Sequence, residues 1–408
     1  MKHQFIKGRD IVMFSFQSWD SDIGSNFKDM ALELARNNRI LFINRALDRK
    51  SLWSRRKDPV TQSRLDSIKT GKGELELVAP NIWVHNPRIL MESINSIPFA
   101  GLHDWLNKWN GKRLAAEINK AIVRTGFRDT LLINDNDFIR GFYLKDYIPC
   151  TEYIFYIRDY MIAVDFFKKH GPRLERGLMV RADLVVANSE YLAGYARKVN
   201  PQSFYIGQGC DFSPFVRENY PVPDDLQTIP HPIIGYTGFV SAWRIDTAIL
   251  EHIATSLPAC QLVLVGPVDW MFKKEALERL PNVHFLGGKP PAALAGYINQ
   301  FDICINPQIV NDITRGNYPR KADEYLAMGK PLVATRTEGM KMFEACCFLC
   351  DNKEEYVEKI QCILDDTQNQ NNDTIKEARR EFALSHTWEE SIGMLGDAYH
   401  AFVQRKTS

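Results

Sequence analysis

The second half of the chain alternates short apolar segments with longer segments of helical character. The apolar segments are rich in Val, Ile and Leu, which favours strands that are buried on both faces of a sheet. Strands that alternate with helices in this way predict a doubly wound parallel sheet, because a right-handed crossover must join neighbouring parallel strands. The predicted strands span residues 232–237, 261–265, 283–286, 301–306 and 331–335.

The first half of the chain opens with a β-α-β unit. An apolar segment, 10–16, precedes a polar turn that contains Gly24, and a helical segment, 26–37, leads to a second apolar segment, 39–44. These alternating elements again predict a parallel sheet. A chain of 408 residues exceeds one ordinary core, so two domains of about 200 residues each are expected.

Two further apolar segments of the first half end in carboxylates. Segment 129–134 is followed by Asp135 and Asp137, and segment 152–157 is followed by Asp159. Ligands collect at the carboxyl edge of an open parallel sheet, so these aspartates are candidates for a binding or catalytic role. Each of them is alternatively a helix cap or the partner of a nearby arginine.

Residues 317–331 predict a short helix of about three turns that begins near the carboxyl end of a strand. Pro319 suits the first helical position, and Gly329, which is followed by Lys-Pro, marks the end. Lys321 and Glu324 are three residues apart, so their side chains share one face close to the helix N-terminus.

This pairing of charges suits a nucleotide diphosphate. Lys321 and the free N–H groups of the helix would neutralise phosphate oxygens, while Glu324 would accept hydrogen bonds from two ribose hydroxyls. The alternative is an ordinary exposed ion pair between the two side chains, worth about 0.3 kcal/mol.

Charge and composition argue against several classes of function. The chain has 51 Lys and Arg against 50 Asp and Glu, a balance that argues against a protein held to nucleic acid by its overall charge. No window approaches the roughly 18 consecutive apolar residues of a membrane span, and the amino terminus lacks the apolar core of a signal peptide. We expect a cytoplasmic enzyme.

The eight cysteines lie mostly in apolar surroundings, where a small thiol packs well. Cys347 and Cys350 form a Cys-x-x-Cys pair, but no second pair or histidine follows at the spacing of a zinc site. We therefore expect reduced, structural cysteines that bind no metal.

Several motifs occur in the order in which one enzyme family carries them. The run from Glu324 to Pro331, Glu-Tyr-Leu-Ala-Met-Gly-Lys-Pro, leads into the small-residue strand Leu332-Val-Ala-Thr335. On these motifs the chain resembles the sugar-nucleotide-dependent glycosyltransferases of the GT-B fold, especially glycosyltransferase family 4 and the family 1-like enzymes of envelope polysaccharide synthesis. The other motifs are Ala182-Asp-Leu-Val-Val-Ala-Asn-Ser189, Ile206-Gly-Gln-Gly-Cys-Asp211, Ile234-Gly-Tyr-Thr-Gly238, Leu262-Val-Leu-Val-Gly-Pro267 and Leu280-Pro-Asn-Val-His-Phe-Leu-Gly287.

The resemblance implies an α/β protein of two doubly wound, Rossmann-like domains that face a central cleft. Residues 1–215 would form the acceptor-side domain, and residues 230–385 would form the domain that binds the nucleotide sugar. Residues 386–408, which begin with His-Thr-Trp, are expected to form a helix that packs back toward the first domain.

The resemblance also implies roles for individual residues of the donor site. Lys321, with Arg244 or Arg320 as a second cation, would stabilise the negative charge that builds on the leaving diphosphate. Arg320 is alternatively a solvated side chain, and Arg244 the member of a surface ion pair. The expected donor-binding set is Gly24, Gly238, Arg244, Arg320, Lys321 and Glu324.

One position departs from the family 4 pattern. Many of those enzymes carry a second glutamate eight residues before the ribose-binding one, and here Gly316 occupies that position. The sequence from Pro319 to Glu324 is similar to a branch in which a lysine, here Lys321, faces the donor. The stereochemistry stays open; an inverting reaction would need a general base, for which the three aspartates named above are the candidates.

The activity implied by the resemblance is transfer of a sugar from a UDP- or GDP-linked donor to a saccharide or polyprenyl-linked acceptor, without a metal or another cofactor. Two alternatives stay open: a sugar-nucleotide epimerase on the same fold, and a catalytically inactive module that serves as a partner subunit. A stable protein complex without nucleotide binding would favour the inactive module.

Two segments of the first half combine positive charge with tryptophan. Residues 45–72 contain nine Lys or Arg against three Asp, and residues 89–112 carry apolar side chains partly at helical spacing, with tryptophans beside lysines. Both segments suit contact with an anionic membrane at the inner face of the plasma membrane. The alternatives are a solvated loop for the former and a helix packed on the first sheet for the latter.

Overall fold

The chain divides into two units in the computed structural model, which describes residues 3–20, 25–54, 58–217 and 219–407. The first unit comprises Met1–Gly209 together with Trp388–Ser408, and the second comprises Cys210–Thr387. The second unit thus begins at Cys210, earlier than the expected residue 230, because side chains of residues 210–229 belong to its core. Phe212, Phe215 and Leu226 are buried there.

The first unit is built on an eight-stranded sheet that is parallel except at one edge. The strands of the whole unit, two of which lie outside this sheet, are β1 (Asp10–Ser15), β2 (Arg39–Ile43), β3 (Leu47–Asp48), β4 (Leu75–Ala79), β5 (Ile82–His85), β6 (Leu90–Met91), β7 (Thr130–Asp135), β8 (Cys150–Ile157), β9 (Leu184–Ala187) and β10 (Ser203–Tyr205). The sheet order is β10-β9-β8-β7-β1-β2-β5-β4, with β4 antiparallel to β5, and β3 pairs separately with β6. The strand order therefore switches direction between β1 and β7.

Helices cover both faces of this sheet. Along β1, Val12 and Phe14 belong to one core and Ile11 and Met13 to the other, as the alternation of side chains in a strand requires. The helices of this part of the chain are α1 (Asn26–Leu34), α2 (Arg49–Ser54), α3 (Pro59–Thr70), α4 (Ala100–Thr125), α5 (Gly171–Arg181) and α6 (Glu190–Arg197). Residues 49–54 and 59–70 are thus helical, in contrast to the alternative of a solvated loop.

The second unit contains a six-stranded sheet in which every pairing is parallel. Its strands are β11 (Ile233–Thr237), β12 (Gln261–Val265), β13 (Val283–Gly287), β14 (Ile303–Asn306), β15 (Leu332–Thr335) and β16 (Phe348–Cys350). The order is β13-β12-β11-β14-β15-β16, so the direction switches between β11 and β14. The five predicted strands are present, and the short β16 was not predicted.

The helices that follow in the chain include one that returns to the first unit. They are α7 (Thr247–Ser256), α8 (Glu275–Glu278), α9 (Leu294–Gln300), α10 (Arg320–Ala327), α11 (Lys353–Asp365), α12 (Thr367–Gln370), α13 (Asp373–Leu384) and α14 (Trp388–Thr407). All but α14 belong to the second unit.

The last helix, α14, completes one core of the first unit. Trp388, Ile392 and Leu395 are buried with side chains of α1 and β1. The amino-terminal segment also lies against this helix, where the Gln4 N–H donates to Asp397 at 2.7 Å. A Cβ on Gly396 would lie 2.1 Å from the Gln4 carbonyl oxygen, so only glycine permits this approach.

All eight cysteines are free thiols, and Cys347 and Cys350 are both buried. Within the described ranges, no cluster of three or more His, Cys, Asp or Glu is arranged to hold a metal ion. No helix in the described part of the chain combines the length and the apolar character of a membrane span.

Candidate functional site

The candidate donor site lies where the strand order of the second sheet switches, at the carboxyl ends of β11 and β14. The helix α10 is fixed there by Tyr325, whose buried hydroxyl accepts hydrogen bonds from the N–H and the Oγ1 of Thr237, at 2.7 and 3.0 Å. Thr237 is the last residue of β11. Because ligands bind at such a switch in open α/β sheets, α10 presents its N-terminus at the expected position.

The helix α10 is shorter than predicted. It spans Arg320–Ala327, about two turns, and Pro319 is the N-cap rather than the first helical residue. Its backbone ψ of 85° lies outside the helical range, so the helix starts one residue later. Gly329 adopts a φ of 72°, which suits a residue just beyond a helix end.

Lys321 points from α10 across the end of β11. Its Nζ donates to the Tyr236 hydroxyl at 2.5 Å and lies 3.8 Å from the centroid of that ring. Gly238, just after the strand, has a φ of 122°, and a Cβ there would lie 3.0 Å from Nζ. The ammonium therefore lies against glycine backbone, where no side chain can intervene.

The charges around Lys321 influence one another. Burial and the nearby Arg244 lower the pKa of Lys321 to about 7, and Glu324 opposes that shift. Burial raises the pKa of Glu324, against the effect of Arg320 and Lys321. The Arg320 Nε lies 3.5 Å from a Glu324 carboxylate oxygen, so Arg320 does not extend into solvent alone.

The structure thus brings five of the six predicted donor-site residues into one neighbourhood: Gly238, Arg244, Arg320, Lys321 and Glu324. The sixth, Gly24, lies outside the described residues. The alternative of a simple Lys321–Glu324 ion pair is not observed, because Lys321 bonds to Tyr236 and the ion-pair partner of Glu324 is Arg320.

A buried carboxylate that the sequence analysis did not single out anchors the first turn of α10. Asp323 is fully buried, accepts a hydrogen bond from the Tyr318 hydroxyl at 2.7 Å and lies 2.8 Å from His386 Nδ1. Its presence in the first helical turn is a signal available in the sequence, since carboxylates favour helix N-termini. Its partner His386 lies 63 residues away, so the contact itself is not readable from local sequence.

In the first unit, Asp135 ends β7 beside the end of β1, where the strand order of that sheet switches. Its fully buried carboxylate receives Arg158 Nε and Nη2 at 2.5 and 2.9 Å, and Ser15 Oγ at 2.6 Å. Burial raises the pKa of Asp135, and the Arg158 guanidinium opposes that shift. Both carboxylate oxygens are therefore engaged in fixed contacts.

The other two candidate aspartates differ in exposure. Asp137 is fully buried and pairs with Arg140 Nε at 2.7 Å, which is the alternative role considered for these residues. Asp159 follows β8, is partly exposed, and contributes to the electrostatic surroundings of Asp135 and Arg158. The structure therefore places Asp135 and Asp159 around Arg158, while Asp137 pairs with Arg140.

A family model supplies the first comparison with known proteins. Residues 231–366 match the family described as glycosyl transferases group 1. We refer to residues 231–366 as the group 1 domain. The match runs from just before β11 to just beyond α11, so the group 1 domain includes Tyr236, Gly238, Arg244 and all of α10.

A curated relative extends this similarity. TuaH of Bacillus subtilis (strain 168), provisionally named a teichuronic acid biosynthesis glycosyltransferase, is 27% identical over 239 residues. The match covers 55% of this chain and 58% of TuaH. The chain therefore aligns with little more than half of that relative.

Solved structures share the fold over nearly the whole chain. Sucrose-phosphate synthase of Thermosynechococcus elongatus aligns with a TM-score of 0.66 at 17% identity and covers 97% of this chain and 100% of its own. HepE of Anabaena, crystallised with UDP, aligns with a TM-score of 0.63 at 15% identity, covering 97% and 100%. The two Rossmann-like domains therefore have the GT-B fold.

The close approach of Lys321 to Gly238 predicts that Gly238→Ala destabilises the protein. An alanine at this φ is strained and its Cβ meets Nζ, so we expect a loss of about 1–3 kcal/mol. Urea denaturation measures the change. Gly194→Ala in α6 is the control, because a Cβ there contacts nothing within 4 Å and should be neutral or stabilising. Equal stability of Gly238→Ala and the wild type would contradict this account.

Proposed function

We propose that this protein transfers a glycosyl group from a nucleoside diphosphate sugar to a hydroxyl of a saccharide or lipid-linked acceptor in the synthesis of a cell-envelope polysaccharide. Three findings support the proposal: the group 1 domain, the similarity to TuaH, and the shared fold with HepE, which was crystallised with UDP and with UDP-glucose. UDP is accordingly the first nucleotide to test, and GDP is the alternative.

The observation that carries the proposal is the state of Lys321. Among the described residues, no carboxylate lies within ion-pair distance of its Nζ, although the side chain is partly buried at the edge of a sheet. A buried cation is costly unless it is compensated, and an anionic ligand supplies that compensation. A diphosphate beside Gly238 would meet this ammonium and the charge of Arg244 together.

The remaining residues suit the other parts of such a donor. Glu324 lies one helical turn from Lys321 on the same helix, where its carboxylate would accept hydrogen bonds from ribose hydroxyls. Cations at the diphosphate act most strongly when the glycosidic bond breaks, because negative charge then builds on the leaving oxygen. The proposal assigns this stabilisation to side chains, and the nucleotide sugar is a co-substrate.

A general base is needed on the acceptor side if the reaction inverts the anomeric centre. Of the three candidate aspartates, Asp159 suits this role best because it is partly exposed, whereas the oxygens of Asp135 and Asp137 are buried in arginine pairs.

The first test of the donor site is thermal unfolding and calorimetry with UDP, GDP, CDP and ADP. A ligand at 100 times its Kd stabilises the native protein by about 2.7 kcal/mol. We expect one diphosphate to stabilise the wild type selectively, and Lys321→Ala and Glu324→Ala to weaken its binding by about tenfold or more, as loss of a charged hydrogen bond costs about 1.5–3 kcal/mol.

Lys353→Ala serves as the matched control, because Lys353 is an exposed lysine at the start of another helix of the group 1 domain. Its nucleotide affinity should equal that of the wild type. If a folded wild type gains no stability from any of these nucleotides, the inactive partner module becomes the better reading and glycosyl transfer is rejected.

Nucleotide affinity should also depend on pH through Lys321. In the ligand-free protein the pKa of Lys321 is about 7. A bound diphosphate favours the charged form of this side chain, so binding above that pH must take up a proton. We expect affinity to fall by up to about tenfold between pH 7.5 and 8.5. Calorimetry in two buffers of different ionisation enthalpy measures the proton uptake. In Lys321→Ala the uptake should vanish; a wild-type affinity that is flat over this range would refute the assignment.

A second part of the proposal concerns contact of the first unit with a membrane. We propose that the first unit contacts anionic lipid through an aromatic patch at the start of α4, defined as Phe99, Leu102, Trp105 and Trp109. These side chains are 71%, 48%, 65% and 43% exposed, and their spacing of three or four residues places them on one side of the helix. The lysines at positions 108 and 112 are also exposed, which gives the charge complementarity that such a surface requires.

Co-sedimentation with vesicles of anionic and of neutral lipid tests this contact. Each lysine near an anionic surface is worth about 1 kcal/mol, so Lys108→Ala with Lys112→Ala should weaken binding by roughly 30-fold, and Trp105→Ala with Trp109→Ala should also reduce it. Trp270→Ala is the control, since Trp270 is 90% exposed in the other unit. Absence of binding to anionic vesicles would remove the membrane proposal while leaving the donor site untouched.

A further inference from the structure

Arg140 in the first unit has a guanidinium that is only partly satisfied. Its Nε pairs with Asp137 at 2.7 Å, and the guanidinium lies 4.9 Å from the centroid of the Phe16 ring. Both Nη1 and Nη2 are buried, and neither has a hydrogen-bond partner among the described residues. Buried donors are almost always paired in folded proteins, so two unpaired donors on one cation indicate a place for an acceptor group.

These two nitrogens belong to a residue that lines a cavity of about 600 Å³. The volume lies in the range of about 300–1,000 Å³ that is typical of small-molecule sites. One part of its wall is apolar and includes Met91, Ile139 and Phe167. The described residues that line the cavity all belong to the first unit, and the cavity lies at the sheet edge where β1 and β7 end.

Besides Arg140, two cations among the described residues line the cavity. Arg45 and Lys50 both line it, and the charge of Arg45 acts on Arg140. Among the described residues, no carboxylate lies within ion-pair distance of Lys50. Burial lowers the pKa of Arg140 to about 10, so the guanidinium is still charged at neutral pH.

The carboxylates of the cavity wall already have partners. Asp48 accepts hydrogen bonds from Ser51 and Ser93 and lies 3.4 Å from Arg45. Glu92 pairs with Arg49 at 2.8 Å. Among the described residues of the cavity wall, the charged groups without a partner are therefore the Nη atoms of Arg140 and the exposed ammonium of Lys50, and both favour an anion.

We propose that this cavity binds a phosphate group carried by the acceptor, with Arg140 as a bidentate donor and Lys50 as a second cation. A guanidinium presents two parallel N–H bonds in the geometry that phosphate oxygens match. The apolar wall receives the organic part of the molecule that bears the phosphate. The assignment of this phosphate to the acceptor rests on the proposed glycosyl transfer, whereas phosphate binding by the cavity does not.

Calorimetry with three probes tests the proposal: inorganic phosphate, glucose 6-phosphate, and dihexanoyl phosphatidic acid below its micelle concentration. Saturable binding of a phosphate probe is expected. Arg140→Lys should weaken it by about tenfold or more, because lysine keeps the charge beside Asp137 but removes the fork. Lys50→Ala should weaken it by about fivefold; this exposed residue can be removed without disturbing the core.

Two variants serve as controls. Lys72→Ala removes an exposed lysine outside the cavity, and Lys321→Ala removes the cation of the donor site, which would otherwise attract phosphate too. Lys72→Ala should bind the probes as the wild type does, and in Lys321→Ala the binding that depends on Arg140 should remain. Tighter binding of the phosphatidic acid than of glucose 6-phosphate would identify a lipid source for the phosphate, and the reverse order a saccharide source.

The proposal is overturned if no probe binds, or if binding is unchanged in both Arg140→Lys and Lys50→Ala. Nucleotide binding measured on the same preparations separates this result from the fate of the donor site. Phosphate binding that depends on Arg140 in a protein that binds no nucleotide would keep the cavity assignment and reject glycosyl transfer. Nucleotide binding without phosphate binding would reject the cavity assignment and keep the proposed glycosyl transfer.

Discussion

The hydrogen bonds between Tyr325 and Thr237 hold the group 1 domain's site together. They tie α10 to the last residue of β11, and every other feature of the site follows from that fixed distance. Lys321 then reaches Tyr236 and the backbone of Gly238, and Glu324 faces the same side one turn later. A two-turn helix has little stability of its own, so its position depends on such tertiary anchors. Asp323 and its partners supply the second one.

Buried charges at the two sheet edges differ in how fully they are paired. In the first unit Asp135 is matched by Arg158, and this pair is fixed before any ligand binds. In the second unit Lys321 has a hydroxyl and an aromatic ring as neighbours but no carboxylate at ion-pair distance among the described residues. The Asp135–Arg158 pair is thus complete, whereas Lys321 keeps a charge that an anion can relieve, as do the Nη atoms of Arg140 in the first unit.

The sequence predicted the alternating architecture well because parallel strands buried on both faces need continuous apolar runs, and these are visible in any local window. The fold class and the GT-B resemblance are confirmed. The spacing of Lys321 and Glu324 also predicted a shared helix face. The strands β3, β4, β5, β6, β10 and β16 were not predicted. Leu77 of β4 is 61% exposed, and β16 has only three residues, so neither of these two strands carries a strong local signal.

Contacts between distant residues could not be predicted in this way. The length of α10 was overestimated because Pro319 fits both the cap and the first helical position, and only its backbone angles decide. Tyr236 belongs to the motif Ile234-Gly-Tyr-Thr-Gly238, yet its contact with Lys321 joins residues that are 85 positions apart in the sequence. The Arg140 contact with Phe16 likewise depends on how the ends of β1 and β7 meet. The roles of the three aspartates stay predictions, with burial now distinguishing Asp159 from the others.

The return of α14 to the first unit affects how the chain can fold during synthesis. The core formed by Ile11, Met13 and Phe27 also needs Trp388 and Leu395, so it cannot close until the ribosome has released those late residues. The second unit, Cys210–Thr387, is continuous and is complete before α14 is made. The domain encoded in the middle of the chain can therefore finish folding first, while the domain that begins the chain waits with part of one apolar face of its sheet uncovered.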